Sequence, residues 1–512
     1  MQNIEQSSRR QFLGTAIGAA GLVALPTWAK PIGSSDDIRV AVIGFNGRGA
    51  GHIGSLLKLK GAKIVALCDV DQKVMDKHVA SLKKQNIEVK QYKDFRECCA
   101  DKDVDAVVIA TPNHSHTLIA MTGLANGKHV YVEKPVCHNP MEGRKLVEAG
   151  LVCNAKGQIL QHGMQRRSSP GWAEAMAYAK SGEIGKTTLS RAINYKARQS
   201  IVKVAAPKEM DANGRIAGEF RDTGGKPQVV DVDYKLWSAP RAPAPMQREQ
   251  FHYDWHWQWK YGNGDIGNQG PHQLDVGRWA LGDPTVLPRR VMSFGNRWGY
   301  DDDGQTANNQ MAFYNYEPVP LLLDNRGLPS KDMNWKKGYE PVYTVNGKVA
   351  VARIGNVIHC EGGFIAESKA YDNEGKVIKK FDNFDDGADH MKNFLDSIRA
   401  GKRVNENLDV AHGYHAACLA HMANYSYRLG KKISVDEVKE RLSNDKAGQE
   451  TFAHFIKNLE DNKIDLAVDK IIAGPWLDFD PQTEKFTGEF AAEANKLMEE
   501  EYAPGFELPV VA

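Results

Sequence analysis

Cysteine is scarce in this 512-residue chain, and charge of neither sign is in excess. The seven cysteines are odd in number and show no CxxC spacing, so neither a zinc site nor a disulfide framework is indicated. The 66 basic and 64 acidic residues leave a formal net charge of +2, which gives no reason to expect nucleic acid or an acidic membrane surface as a partner. Internal repeats and low-complexity segments are not evident. The cysteines are therefore expected to be small buried hydrophobic residues.

Long hydrophobic runs are missing too. The apolar stretch GTAIGAAGLVAL near the N-terminus is shorter than the roughly 20 residues that span a bilayer. It follows Ser8-Arg9-Arg10-Gln11-Phe12-Leu13 and precedes the plausible cleavage site Pro26-Thr27-Trp28-Ala29. This order is typical of a twin-arginine signal, which we assign to residues 1–29. We expect a soluble, periplasmic mature protein without a membrane span.

Strand and helix signals alternate over the first third of the chain. The composition, 42% hydrophobic and 25% charged, is that of a soluble globular protein, and the length predicts two domains. Apolar strands are predicted at Ile38–Gly44, at KIVALCD, at Asp105–Ala110, at HVYV and at Gln158–Gln161. Helices are predicted near 73–85, 116–126 and 141–156. This alternation predicts a doubly wound parallel sheet of the Rossmann type, with ligands beyond the carboxyl ends of its strands.

A glycine-rich turn follows the first strand and opens a helix. Such a turn presents free backbone N–H groups and a positive dipole end to a pyrophosphate. The match to GxGxxG is imperfect because Asn46 stands where the second glycine belongs, but Asn tolerates left-handed backbone conformations. Asp69 ends the second strand, where a carboxylate binds ribose hydroxyls and would repel a 2′-phosphate. NAD is therefore predicted over NADP. The predicted cofactor-binding residues are Gly44, Asn46, Gly47, Arg48, Gly49, Asp69, Thr111, Pro112, Asn113, His116, Glu133 and Lys134.

The order VAVIGFNGRG, CDV, ATPNHSHTLIA and GKHVYVEKP resembles the Gfo/Idh/MocA family of nicotinamide-dependent sugar and polyol oxidoreductases. The resemblance implies a Rossmann NAD-binding domain at 36–163 and a substrate-binding α/β domain at 164–435, built on a large, mostly antiparallel open sheet that closes over the nicotinamide. It also implies that Lys134 lies beside the nicotinamide and the substrate, and that Pro135 follows a cis peptide bond. A homo-oligomer is implied as well.

The resemblance continues in the second half. GNGDIGNQGPHQLDVGRWALG is similar to the family segment GGGxLxDxGxHxxD when laid over Gly262 to Asp275 without a gap. His272 then takes the place of the family's catalytic histidine, and Asp275 that of the aspartate that follows it. The departure is Asn268, which stands where many dehydrogenase members carry an aspartate. The catalytic residues implied are Lys134 and His272.

Oxidation of a secondary alcohol requires a base for the hydroxyl proton while hydride leaves for the nicotinamide. An imidazole titrates in the right range, and a lysine can hydrogen-bond the same oxygen. Asn268 can only donate or accept hydrogen bonds, so the proton relay differs here or the chemistry is not simple dehydrogenation. The predicted substrate-binding residues are Lys134, Gln165, Arg166, Trp257, Asn268, His272 and Asp275.

Aromatic and histidine patterns leave alternatives open. Trp255, Trp257 and Trp259 alternate at strand period, so a strand would place all three on one face, as a sugar platform or as core. The histidines of VAHGYHAACLAHMANYSYRLG have no carboxylate or cysteine company, so no metal site is predicted. Residues 436–512 are predicted to form a helical extension and an arm, with a helix at Glu489–Glu501.

Export constrains the mechanism, because the periplasm has no large soluble nicotinamide pool. The cofactor is therefore expected to stay bound and to be regenerated on the protein. One hypothesis is a sugar or polyol oxidoreductase that reduces a second acceptor in a ping-pong cycle. The alternatives are an NAD-dependent glycoside hydrolase, which oxidises, eliminates, adds water and reduces, and a non-catalytic NAD-binding protein.

Overall fold

The computed structural model describes residues 37–329, 344–345, 349–350 and 353–511. The predicted twin-arginine signal at 1–29 lies outside these residues. Within them, no helix is long and apolar enough to cross a membrane. All seven cysteines are buried, as expected, and their thiols are free.

The first domain is built on a six-stranded parallel sheet with the strand order β3-β2-β1-β4-β5-β6. Its central strands are buried almost completely, because helices cover both faces of a parallel sheet. The predicted doubly wound sheet is confirmed. The strands are β1 Ile38–Ile43, β2 Ala62–Cys68, β3 Lys90–Tyr92, β4 Ala106–Ile109, β5 His129–Val132 and β6 Leu160–His162.

Five helices connect these strands, and their first residues follow ordinary capping rules. The side chain of Asp71 accepts the N–H of Lys73, and that of Asn139 accepts the N–H of Glu142. The three predicted helices are present, whereas the short pair of β3 and the helix after it was not predicted. The helices are α1 Arg48–Leu56, α2 Gln72–Lys83, α3 Phe95–Ala100, α4 His116–Ala125 and α5 Pro140–Ala155.

The second domain has a twelve-stranded sheet in the described residues, ordered β18-β17-β16-β15-β7-β12-β11-β10-β20-β19, with β21 and β22 beside β10. Only β7 and β12 pair in parallel, so the predicted mostly antiparallel sheet is confirmed. Its strands are β7 Thr187–Tyr195, β10 Arg290–Asn296, β11 Asn309–Tyr314, β12 Leu321–Arg326, β15 Ile354–Cys360, β16 Gly363–Ala366, β17 Lys369–Asp372, β18 Val377–Lys380, β19 Lys431–Ile433, β20 Ile471–Ala473, β21 Leu477–Asp480 and β22 Lys485–Thr487.

Two hairpins stand apart from this sheet. One pairs β8 Arg215–Arg221 with β9 Pro227–Asp233, and the other pairs β13 Thr344–Val345 with β14 Val349–Ala350. The helices of the second half are α6 Pro170–Ser181, α7 Tyr234–Ser238, α8 Gly264–Asn268, α9 Gly270–Ala280, α10 His390–Ala400, α11 Val410–Arg428, α12 Val435–Arg441, α13 Lys446–Asp461 and α14 Ala491–Met498.

Helix α10 returns to the first domain although it lies far along the chain. Its apolar face, with Met391, Phe394 and Ile398, packs in one core with β1 of the Rossmann sheet. Arg399 also donates to the carbonyl of Gly61 at 2.6 Å. The sequence prediction assigned residues 164–435, which include this helix, to the substrate domain, because a local pattern does not show which core receives a helix.

Two local predictions are wrong. Residues Asp254–Trp257 form a 3-10 turn rather than a strand, so the three tryptophans do not share one face. The C-terminal region is not only helix and arm, since β20 and β21 join the large sheet, although the helix predicted at Glu489–Glu501 is present over Ala491–Met498. In both places tertiary contacts decide a conformation that the local pattern leaves ambiguous.

Candidate active site

A cavity of about 1120 Å³ opens where the carboxyl ends of the Rossmann strands face the second domain. One end is bounded by the glycine turn, Asp69 and Asn113, and the other by Lys134 and His272. Ligands of open parallel sheets bind at this edge, beyond the strand ends. The volume exceeds that of a usual pocket for one small molecule, so the cavity can hold a cofactor and a second ligand.

The glycine turn at the end of β1 has a backbone that only glycine suits. Gly44 has φ of +77°, and a Cβ there would lie 2.7 Å from the Thr111 side chain. A Cβ at Gly49 would lie 2.0 Å from the carbonyl oxygen of Gly44, so Gly49 allows the helix to approach the turn without lining the cavity. At Gly47 a Cβ would meet nothing within 4 Å, because that position faces open space.

The first turn of α1 faces the same space. No side chain caps its N-terminus, so its backbone N–H groups and positive dipole end are available to an anion. Asn46, Gly47 and Arg48 line the cavity beside it. The turn therefore fits the pyrophosphate of a dinucleotide, as the sequence predicts.

Asp69 at the end of β2 supplies an oriented carboxylate. It accepts the N–H groups of Phe45 at 3.1 Å and of Asp71 at 2.9 Å and lines the cavity. Burial raises the pKa of Asp69, and the two N–H groups oppose that rise. A carboxylate held in this way can accept from ribose hydroxyls and would repel a phosphate in their place.

The loop after β4 brings a second set of predicted residues to the cavity. Thr111, Pro112, Asn113 and His116 all line it. The buried Nδ2 of Asn113 has no hydrogen-bond partner among the described residues, which is uncommon for a buried donor. The ring of His116 lies 2.7 Å from the carbonyls of both Thr111 and Pro135, so it ties this loop to the next. The unpaired amide of Asn113 fits a group contributed by a bound cofactor.

Glu133 follows β5 with its carboxylate buried at the edge of the cavity. It receives Arg48 Nε at 3.0 Å, His52 Nε2 at 2.9 Å and Gln165 Nε2 at 2.8 Å. Burial opposes its ionisation, but the hydrogen bond and charge of His52 and the charges of Arg48 and Lys134 hold the pKa of Glu133 well below its usual range. The ionised carboxylate thus connects α1, β5 and the chain after β6.

Lys134 turns its amine toward the second domain. Its Nζ donates to the main-chain carbonyl of Asn268 at 2.7 Å and lies 3.4 Å from the Oδ1 of that residue. Burial, aided by the charges of Lys196 and Arg198 and opposed by that of Glu133, lowers the pKa of Lys134 to about 8. The Lys134–Pro135 peptide is cis, as the resemblance implies. The amine is therefore held in one place, in the cation-rich part of the cavity.

His272 lies in the first turn of α9 and lines the cavity with Lys134. Burial, together with the charges of Lys134 and Arg166, holds the pKa of His272 well below its usual range. Its ring makes no hydrogen bond to the part of the chain that the structure describes, while its backbone N–H bonds to Gln269. A neutral imidazole with a free nitrogen can accept a proton from a ligand.

Asn268, between these two groups, lines the cavity and lies 3.4 Å from the buried carboxylate of Asp265. Asp265 binds the guanidinium of Arg198, with Nε at 3.0 Å, and accepts from Asn194 at 3.0 Å. Neither Asp265 nor Arg198 was predicted from the sequence to belong to the site. A negative charge is thus present one turn from position 268, but it is already paired with an arginine.

Gln165 and Arg166 are two of the predicted substrate-binding residues. Both line the cavity, and Gln165 donates to Glu133. Arg166 donates to Asp386 at 3.1 Å and lies 5.1 Å from the ring centre of Trp172. Many other cavity residues of the second domain were not predicted from the sequence. Among them are Lys196, Tyr253, His256 and Gln269.

Two predicted substrate residues lie away from the cavity. Trp257 is buried and lies 5.9 Å from the guanidinium of Arg198, whereas its neighbour Trp255 lines the cavity. Asp275 lies one turn behind His272 and binds Arg167 through two contacts of 2.8 and 2.9 Å. Arg167 also binds Asp283 and is fully buried. Both residues support the site from behind.

Metal ligation has no support in the described residues, where no group of three or more His, Cys, Asp or Glu side chains could hold an ion. His412 instead has its Nδ1 2.7 Å from a guanidinium nitrogen of Arg278.

Asp275 is buried in a pair with Arg167 and does not line the cavity. Its substitution is therefore expected to lower the stability of the protein rather than to remove a contact with the ligand. In Asp275→Asn the guanidinium of Arg167 loses half of its charge neutralisation, so the free energy of unfolding is expected to fall by about 3 kcal/mol. Urea unfolding followed by circular dichroism measures this. The matched control is Asp478→Asn, which breaks a half-exposed pair with Arg290 and should cost less than about 1 kcal/mol. Equal stability of Asp275→Asn and the parent protein would contradict the supporting role.

Comparison with known proteins agrees with the dinucleotide-binding geometry of the glycine turn and Asp69. Residues 38–163 match a family described as an oxidoreductase family with an NAD-binding Rossmann fold. An inositol 2-dehydrogenase of Salmonella typhimurium strain LT2 is 30% identical over 161 residues, 31% of this chain and 46% of that protein. A glycosyl hydrolase family 109 protein of Streptomyces niveus is 36% identical over 126 residues, 23% of this chain and 25% of that protein. The chain thus spans about half the length, or less, of these relatives.

Solved structures are similar over more of the molecule. GenD2 from gentamicin A biosynthesis, in complex with NAD, has a TM-score of 0.50 and 18% identity, over 79% of this chain and 96% of that one. The WlbA dehydrogenase of Bordetella pertussis, in complex with NADH and UDP-GlcNAcA, has a TM-score of 0.52 and 16% identity. The match covers 77% of this chain and 97% of that one. At this identity the likeness establishes the two-domain fold.

Proposed function

We propose that this chain, which belongs through its Rossmann domain to the Gfo/Idh/MocA family of oxidoreductases, oxidises a secondary alcohol of a sugar or polyol with a bound NAD. One observation carries the proposal. The amine of Lys134 and the free ring of His272 face the same cavity whose other end is a dinucleotide cradle. The inositol dehydrogenases among the relatives favour a polyhydroxylated substrate.

The residues present fit NAD. The open space at Gly47, the uncapped start of α1, the carboxylate of Asp69 and the unpaired Nδ2 of Asn113 would hold its pyrophosphate, ribose and nicotinamide half. When bound, NAD supplies the hydride acceptor. The carboxylate of Asp69 favours NAD over NADP.

Residues of the chain would bind the substrate hydroxyl and accept its proton. Lys134, fixed by the carbonyl of Asn268, can donate to the substrate oxygen and stabilise negative charge on it. His272 is neutral at neutral pH because its pKa lies well below the usual value, and its ring has no partner among the described residues. It can therefore accept the hydroxyl proton. Asn268 would position Lys134 and add no charge.

Removal of the base tests this assignment. In His272→Ala, reduction of the bound cofactor by a panel of hexoses, hexuronates and inositols is expected to slow by about 10²–10⁴-fold, because the proton acceptor is lost. Absorbance at 340 nm after rapid mixing measures the rate. The control is His454→Ala, an exposed position on α13. Failure of every sugar to reduce NAD in the parent protein would overturn the oxidoreductase proposal.

The lowered pKa of Lys134 predicts a pH profile. The ammonium form is present below pH 8 and is lost as pH rises through about 8, so the oxidation rate should fall over that range. The pKa of His272 lies well below this range, so His272 stays neutral and adds no second pH dependence to the rate. In Lys134→Arg the charge persists above pH 8, so the remaining activity should lose this fall. A parent rate that keeps rising from pH 7 to above pH 9 would contradict the role of a protonated Lys134.

We also propose that NAD stays bound through turnover. The hairpin of β8 and β9 contributes Arg221, Asp222, Thr223 and Gln228 to the cavity, and it pairs with Asp71, close to where Asp69 would hold the ribose of NAD. It is fastened to the first domain by the N–H of Asp233, which donates to the carbonyl of Val70 at 3.1 Å. His252 Nε2, nearby, lies 2.9 Å from Asp71 Oδ2. A cofactor under this cover can leave only when these contacts break.

Cofactor content tests retention. The purified mature protein should release close to one NAD(H) per chain on denaturation, as measured by mass spectrometry. In His252→Ala the cavity wall next to the hairpin loses its contact with Asp71, so bound NAD(H) should fall severalfold after gel filtration. His454→Ala should keep the parent value. No NAD(H) in the parent protein would mean free exchange and would remove the support for retention.

Export by the twin-arginine route remains part of the proposal, resting on Arg9 and Arg10 with the apolar run behind them. That route moves folded proteins, which suits a cofactor inserted before export. Recovery of NAD-loaded protein in the periplasm, and its loss from that fraction in Arg9→Lys with Arg10→Lys, would support this step.

A second candidate is an NAD-dependent glycoside hydrolase, favoured by the family 109 relatives and by Asn268 in place of a carboxylate. It predicts release of nitrophenol from nitrophenyl glycosides with no net change in NADH. The lysine of GKHVYVEKP favours the oxidoreductase. A non-catalytic NAD-binding role would be supported if Lys134→Ala and His272→Ala together left the biological role unchanged.

A further inference from the structure

The amine of Lys196 is a charge at the substrate end of the cavity without a carboxylate partner. Lys196 follows β7 and lines the cavity, and its Nζ donates to Gln269 Oε1 at 3.3 Å. In the described residues this is its one side-chain hydrogen bond, and no carboxylate lies within ion-pair distance. An ammonium has three donors, so two remain for a ligand.

The arginines around Lys196 are neutralised. Arg48 is paired with Glu133, Arg198 with Asp265 and Arg166 with Asp386. The charge of Asp265 partly opposes the lowering of the pKa of Lys196, but its carboxylate is already bound by Arg198 and Asn194. This end of the cavity therefore carries two positive charges without carboxylate partners, those of Lys134 and Lys196.

A second lysine beside Lys134 is unfavourable unless a ligand compensates for it. Burial and the charge of Arg198 lower the pKa of Lys196, and Lys196 in turn lowers that of Lys134. A neutral polyol does not require a second buried charge at this place, since amides and neutral side chains also bind hydroxyl groups. An anion near Lys196 would cancel the repulsion and help to keep Lys134 protonated.

We propose that Lys196 binds an anionic group of the substrate, so that the substrate is a sugar acid or a sugar phosphate rather than a neutral sugar. The inference rests on the proposed function and names its substrate class. Lys134 is held by Asn268 and Lys196 by the adjacent Gln269, so the anion would lie close to the oxidised carbon in the same small molecule.

Binding to the NAD-loaded protein tests the proposal independently of turnover. Isothermal titration with glucuronate, galacturonate and glucose 6-phosphate, against glucose and galactose, should show at least one anion bound about tenfold or more tightly than its neutral counterpart. In Lys196→Gln this preference should disappear, whereas neutral sugars should bind as before. Lys196→Arg should keep it. The matched control is Lys376→Gln, which removes an exposed lysine between β17 and β18.

The outcomes separate the two proposals. Preference for the hexuronates assigns a carboxylate, and preference for the 6-phosphate assigns a phosphate. Equal or tighter binding of neutral sugars, binding of neither set, or an unchanged preference in Lys196→Gln overturns the inference. Reduction of NAD by neutral sugars alone would leave the oxidoreductase proposal intact while removing the anionic substrate. Tighter binding of anions without any reduction of NAD at 340 nm would support the anionic ligand and remove the support for the oxidoreductase proposal.

Discussion

The carboxylate of Glu133 is buried at the end of β5 and is ionised because its neighbours compensate for the loss of water. Arg48 and His52 reach it from the helix that carries the glycine turn, and Gln165 reaches it from the segment after β6. A buried charge is tolerated only with such partners. The carboxylate therefore fixes three segments relative to one another. They are the glycine turn with α1, the chain that follows β5 and carries Lys134, and the segment after β6 that leads into the second domain.

The two domains are interleaved rather than simply consecutive. Helix α10 packs in the Rossmann core, and the hairpin of β8 and β9 contributes residues to the cavity and pairs with Asp71 of the first domain. Residues of both domains consequently line the cavity. Its ligands would be enclosed between two rigid sheets, an arrangement suited to holding reacting groups in register.

The replacement of aspartate by Asn268 fits the surrounding charges. The backbone carbonyl at this position, not its side chain, makes the shortest contact with Lys134. The nearest buried carboxylate, Asp265, is bound to Arg198. The site thus keeps an excess of positive charge that a carboxylate at 268 would have reduced. This excess is the property that connects the lowered pKa of Lys134 with the unpaired Lys196.

Local sequence determined the parallel Rossmann sheet, the glycine turn, the acidic end of β2 and the lysine after β5, because each depends on residues close together in the chain. Backbone sterics, strand burial and helix capping act over that short range. Tertiary structure alone decided that Asp275 pairs with Arg167, that Trp257 is buried behind the site, and that Lys196 and Arg198 face Lys134. It also decided that α10 belongs to the first core. Charge pairing and core membership depend on segments that are distant in sequence, and a single sequence does not specify which of them meet.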